Sequence, residues 1–170
     1  RRDGNGDDGD LVRGRLLEYR HAASYPPRTQ DENIALDVNT GLMWVRDLNV
    51  LDAADRQGAH GNVILADRTS WQGAIDAAAA LEYAGYDDWR LPNANELETI
   101  VDYGRSDYAL DPEAFPARSQ ASPYLWSSTT DPADSALAYY VNSVDGHEYP
   151  YGKTTIFMAR PVRTASTDDP

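Results

Sequence analysis

Two adjoining helix signals occupy the middle of the chain, and strand signals lie on both sides of them. Ala74, Ile75, Ala78 and Leu81 recur at helical spacing behind Trp71, with Thr69 or Ser70 as the N-cap and Gly85 as the stop. Trp89-Arg90-Leu91-Pro92 interrupts the pattern, because proline removes a donor and fixes its own backbone angle. A second helix then starts from the N-cap Asn93, with Glu96 as its capping-box partner, and runs through Leu97, Ile100 and Val101 to an end near Gly104.

Before the helices, Ile34, Leu36 and Val38 alternate, as do Leu42 and Trp44, around the turn Asn39-Thr40-Gly41. This pattern predicts a hairpin that feeds the core. After the helices, Tyr124 to Thr129, Ala136 to Asn142 and Thr155 to Arg163 have strand character, and Asp145-Gly146 supplies a hairpin turn after the second of them. Strands, two helices and strands again describe an α+β domain in which the helices pack on antiparallel sheets. Residues 46 to 68 have little periodicity and read as a long loop.

The expected organisation is an Asp/Gly-rich N-terminal arm over 1–30, one domain over 31–165 and a short tail over 166–170. At 170 residues the chain is long enough to bury a core without staples, and it contains no cysteine, so disulfides, thiolate metal sites and cysteine nucleophiles are all excluded. Its formal net charge of −13 repels phosphate backbones, which argues against a nucleic-acid partner and favours cations. No apolar run is long enough for a membrane span. If the protein is exported, its signal peptide has been removed.

Five motifs occur in order: Thr40-Gly41-Leu42-Met43-Trp44; Trp71 opening a helix; Asp88-Trp89-Arg90-Leu91-Pro92-Asn93 with Asn95-Glu96-Leu97; Tyr124 with Trp126-Ser127-Ser128-Thr129; and Arg160-Pro161-Val162-Arg163. Over roughly residues 31 to 163 this series resembles the C-terminal domain family of the Legionella collagen-like protein. The resemblance implies a C-type-lectin-like fold in a secreted or surface-displayed bacterial protein, with roles in adhesion and glycan binding. Formylglycine-generating enzymes share that fold, but their chemistry needs active-site cysteines, which this chain lacks. The expected protein is therefore a non-enzymatic module of the extracellular space or cell surface.

Read physically, Trp89, Leu91 and Pro92 form a wedge that sets the second helix against the sheet, and for Arg90 a pair with an internal carboxylate such as Glu96 is favoured over a ligand carboxylate or sulfate. Trp126 and Ser128 offer an indole and a hydroxyl to a sugar, against the plainer reading that Trp44, Trp71, Trp89 and Trp126 are core residues. Tyr139, Tyr140, Tyr149 and Tyr151 gather around the last hairpin and are the preferred contact residues for a glycan or a surface protein, with ordinary half-buried strand tyrosines as an equal alternative reading. The lectin signatures Glu-Pro-Asn and Trp-Asn-Asp are absent, so a calcium-dependent sugar site does not follow from the fold. His21, His60 and His147 are too scattered to suggest a zinc site.

In the arm, Asp3, Asn5 and Asp7 have the spacing with which calcium loops open, and Asp10 completes the candidate set; a solvated tail is the competing reading. Residues 11 to 19 have strand character and could join their own sheet or a neighbour's edge. The second function class is therefore a filament subunit that assembles head-to-tail, as a homopolymer, by strand addition through the arm.

Overall fold

A computed structural model describes residues 34–37, 39–48, 68–105, 107–116 and 123–166. The elements, in order, are β1 (Ile34–Asp37), β2 (Leu42–Val45), α1 (Trp71–Ala79), α2 (Ala94–Glu98), β3 (Tyr124–Thr130), β4 (Leu137–Asn142), β5 (Glu148–Gly152) and β6 (Val162–Thr164). They form two antiparallel sheets of three strands, ordered β1-β2-β6 and β3-β4-β5. The expected α+β class is thus observed. The arm, its calcium candidates Asp3, Asn5, Asp7 and Asp10, the segment 11–19 and most of the 46–68 loop lie outside the described residues.

The first hairpin turns where glycine permits it. Gly41 has φ 68° and its N–H donates to the Asp37 carbonyl at 2.8 Å. Asp37 is fully buried, and its carboxylate accepts from the Asn39 N–H and the Thr40 hydroxyl, so the buried charge is satisfied by its own turn. The inward positions of β1 are Ala35 and Asp37, while Ile34 and Leu36 are half-buried. Every residue of β2 is buried, because this central strand lies between β1 and β6 and is covered on both faces.

Of the two cap candidates, Ser70 is the one used: its side chain accepts from the Gly73 N–H. Thr69 instead bridges Phe157 through backbone bonds in both directions. α1 stops at Ala79, short of Gly85. Leu81 turns into the core, and a Tyr83–Tyr86 bridge reverses the chain, with Ala84 at φ 55° and Gly85 at φ 83°. Gly85 therefore serves this turn and not the helix end.

The capping box of α2 is complete: Asn93 Oδ1 accepts from the Glu96 N–H at 2.9 Å, and Glu96 Oε2 accepts from the Asn93 N–H at 2.8 Å. This helix ends at Glu98, well before Gly104. Ile100 and Val101 remain buried because i→i+3 bonds from their N–H groups to Leu97 and Glu98 tighten the chain and keep both side chains inward.

β3, β4 and β5 form a meander, with a register irregularity between Trp126 and Thr130. The strand expected over Thr155 to Arg163 is broken. Phe157 and Met158 make isolated bridges to Thr69 and Leu125, and regular pairing resumes only at Val162, after Pro161, which has no N–H to give. β5 contains Pro150, which is tolerated because β5 is the edge of its sheet.

Candidate binding surface

The β4–β5 hairpin is the element that presents side chains outward. Its turn depends on Gly146, at φ 78°, whose N–H donates to the Asn142 carbonyl at 2.7 Å. The register pairs Tyr140 with Tyr149 and Ala138 with Tyr151, and Tyr140 also pairs with Trp126 across β3. Since successive strand residues alternate between faces, Tyr140, Tyr149, Tyr151 and Trp126 share one face.

Tyr140 is the hub of that face. Its ring lies 5.1 Å from Tyr124, 4.8 Å from Phe157, 5.9 Å from Tyr149, 6.2 Å from Tyr151 and 6.5 Å from Trp126, measured between centroids. Aromatic contacts of this kind hold rings in fixed orientations. The outer members remain open to solvent, with Tyr149 at 44% and Tyr151 at 52% exposure, and Ile156 is exposed as well. The row continues past the turn: His147 stacks on Tyr149 at 6.3 Å, and Tyr103 meets His147 edge-on at 6.4 Å.

The polar groups of this face lie close together. Burial raises the Tyr140 hydroxyl above the usual phenol range, and the neighbouring hydroxyls of Tyr124, Tyr149 and Tyr151 and the Asp145 carboxylate add to the shift. Glu148 alternates with Tyr149 and so lies on the other side of the sheet, where burial raises its carboxyl, with a further push from Glu98. Tyr103 donates to Glu98 Oε1 at a long 3.4 Å, and its own hydroxyl is raised first by burial and then by Glu98 and Glu148.

Three expected contact residues thus come together, Tyr140, Tyr149 and Tyr151, and three do not. Trp126 is fully buried, packed at 4.6 Å on Phe157 with its indole N–H donated to the Thr69 carbonyl, so it has no face to offer a sugar. Tyr139 adjoins Tyr140 on β4 and therefore points to the other side of the sheet, where its carbonyl accepts from the buried Ser127 hydroxyl. Ser128 lies on β3, with its N–H committed to Pro92. Tyr124, His147 and Tyr103 are additional members of the row. The period of two through 147, 149 and 151 signals His147, whereas Tyr103 arrives from the turn after α2 and has no sequence signal.

Other motif residues form the frame. Trp89 and Leu91 are buried and Arg90 meets Glu96 through two bonds of 2.7 and 2.6 Å, as the wedge reading expects. That pair, followed by the Asn93 cap, holds the Glu96 carboxyl below its ordinary range despite partial burial. Trp71 is half-buried, with its ring face covered by Lys153 Nζ at 3.9 Å. A recess of about 480 Å³ lies in the loop after α1, but Glu82 to Asp87 alone line it and no part of the tyrosine face contributes.

The Lcl C-terminal domain family model matches residues 33–163. The chain belongs to this family. Its Lcl domain therefore spans both sheets, both helices and the tyrosine face, and membership marks it as a surface-associated bacterial module. The family is not known as enzymatic. No curated protein matches the chain. Among the described residues, no helix is long and apolar enough to cross a membrane, and no group of three or more His, Asp or Glu side chains is placed to hold a metal ion.

Proposed function

We propose that this Lcl domain is a non-enzymatic adhesion module, built on a C-type-lectin-like frame, that binds a glycan through the Tyr140–Tyr149–Tyr151 face. The observation that carries the reading is the combination of exposed rings with a rigid base: Tyr149 and Tyr151 are about half exposed, yet both pack against the Tyr140 hub. A sugar offers a C–H face to stack on such rings and hydroxyls to bond to their phenols, and ordering costs are low because the rings are already placed.

The filament reading requires the arm to add to an open edge. β5 is such an edge, but Pro150 lacks the N–H that a continuous added strand would use, which favours the ring face over the strand edge as the contact.

Tyr149→Ala and Tyr151→Ala provide the test, by glycan-array binding and titration calorimetry. The expected result is a loss of binding with thermal stability nearly unchanged, because both side chains are exposed. Full binding by the double variant would refute the face. Self-association that disappears when residues 1–30 are removed, measured by light scattering, would move the protein to the filament class.

A further inference from the structure

An unpaired sheet edge invites another strand, and natural sheets cover or guard their edges. Two three-stranded sheets have four outer sides, and three of these are closed. β6 is bridged by Arg90, whose N–H donates to the Val162 carbonyl and whose carbonyl accepts from the Val162 N–H, both at 2.9 Å. β3 is bonded on its outer side by Met158, which accepts from the Trp126 N–H at 2.9 Å and donates to the Tyr124 carbonyl at 3.0 Å. On β5, the bonds from Asn142 N–H to His147 and from Lys153 N–H to Ala136 fix which residues face β4. The alternation puts Pro150 among those that face outward, where it has no N–H to give. The fourth side belongs to β1. Val45 N–H donates to the Pro161 carbonyl, so residues 43 and 45 face β6, while Leu42 and Trp44 face β1 and bond to Asp37 and Ala35. The N–H and C=O groups of Ile34 and Leu36 therefore point away from the sheet, and among the described residues they have no partner. This strand has no proline and no lysine, and both outward positions carry half-buried aliphatic side chains.

We propose that the β1 edge is the docking site of this chain's own basic segment, residues 11–19, which adds to the β1-β2-β6 sheet as a fourth strand. Charge selects this occupant. Residues 11–30 hold Arg13, Arg15, Arg20 and Arg28 against Glu18 alone, in a chain whose net charge is −13, so the segment is attracted to an acidic body that repels a second copy of itself. Length permits it, because residues 20–33 span about 46 Å when extended, against about 13 Å for the four residues of β1. So short a tether also keeps the segment at an effective concentration on the order of millimolar, which places it on its own sheet ahead of a neighbour's. Leu11, Val12, Leu16 and Leu17 supply the apolar side chains that pair with Ile34 and Leu36.

Amide hydrogen exchange of the full chain, followed residue by residue by NMR, tests the edge. In the parent, the Ile34 and Leu36 amides should be protected, as Ala35 is through β2. Leu17→Pro, which removes a donor from the added strand, should speed exchange at Ile34 and Leu36 by about tenfold or more, because an unbonded edge opens at almost no cost. Ala35 should stay protected, which reports that the domain is still folded. The double variant Arg13→Glu, Arg15→Glu keeps every backbone donor and should give the same selective loss, and high salt should reproduce it in the parent. Free exchange of Ile34 and Leu36 in the parent, or protection that both variants leave intact, overturns the proposal. Protection that grows with protein concentration, with a mass above the monomer by light scattering, assigns the edge to a second copy's segment and overturns docking within one chain.

Discussion

Two glycines with nearly the same backbone separate conformational cost from steric cost. Gly41 and Gly146 sit in hairpin turns at φ 68° and 78°, in the left-handed region that penalises a Cβ by about 1–2 kcal/mol. A Cβ at Gly41 would meet nothing within 4 Å, whereas at Gly146 it would lie 2.4 Å from Val101 Cγ1 and 3.4 Å from Ala109 Cβ. Val101 cannot simply move, because it is buried and its backbone is bridged to Leu110. Gly41→Ala therefore carries only the backbone term, about 1 kcal/mol once the stiffer unfolded chain is set against it. Gly146→Ala adds overpacking of about 1–3 kcal/mol, which gives roughly 2–4 kcal/mol in all. Urea unfolding of both variants at constant m reads the difference directly. Equal losses, or a milder Gly146→Ala, would refute the argument that Val101 closes the space beneath the turn. Gly146→Ala should also weaken ligand binding, since the same turn places His147 and Tyr149.

Three further outcomes follow from buried or capping groups. Arg160 is fully buried, with Nη1 donating to the carbonyls of Val45 and Arg46, and burial lowers its pKa to about 10. Arg160→Met, which leaves both acceptors without that donor, should cost about 2–4 kcal/mol in urea unfolding. Across pH the two shifted glutamates act oppositely. The lowered Glu96 contributes stability above the ordinary carboxylate range that is lost as pH falls through its folded value, so Glu96→Gln should flatten the acid limb of midpoint against pH. The raised Glu148 has its stability contribution in full below its unfolded value and loses it as pH rises through the folded one; Glu148→Gln should therefore be more stable than the parent at neutral pH and equal to it in acid. Calcium bound by Asp3, Asn5, Asp7 and Asp10 would raise the melting temperature in a millimolar titration, and an unmoved transition would eliminate the site.

Features are legible in this sequence when their partners are close along the chain. The capping box of α2 needs only Asn93 and Glu96, and the first hairpin only Asp37 to Gly41, so both follow from local residues. Helix ends do not. α1 and α2 stop where Leu81 and Val101 meet tertiary partners, although their apolar spacing continues beyond. The binding face is an intermediate case: tyrosine enrichment marks the hairpin, but assigning Tyr139 and Tyr140 to opposite faces requires the register, and Trp126 shares the Tyr140 face while being sealed beneath Phe157.

The lack of cysteine suggests that packing alone must hold this domain, yet the irregular segments are tied by long-range side-chain bonds to backbone carbonyls. Trp71 Nε1 reaches Ser127, Trp126 Nε1 reaches Thr69, Trp89 Nε1 reaches Tyr83, and Arg160 joins the segment before β6 to the end of β2. A neutral bond of this type contributes about 1 kcal/mol and a guanidinium bond about 1.5–3 kcal/mol, so a few of them can fix segments that have no sheet partner along most of their length. Two of them govern the binding face. Trp71, held by Ser127, receives Lys153 from the end of β5, and Trp126, held by Thr69, supports Phe157 and through it Tyr140. Trp71 and Trp126 therefore support the plane on which Tyr149 and Tyr151 stand, and their expected effect on the proposed binding is through that plane and not by contact.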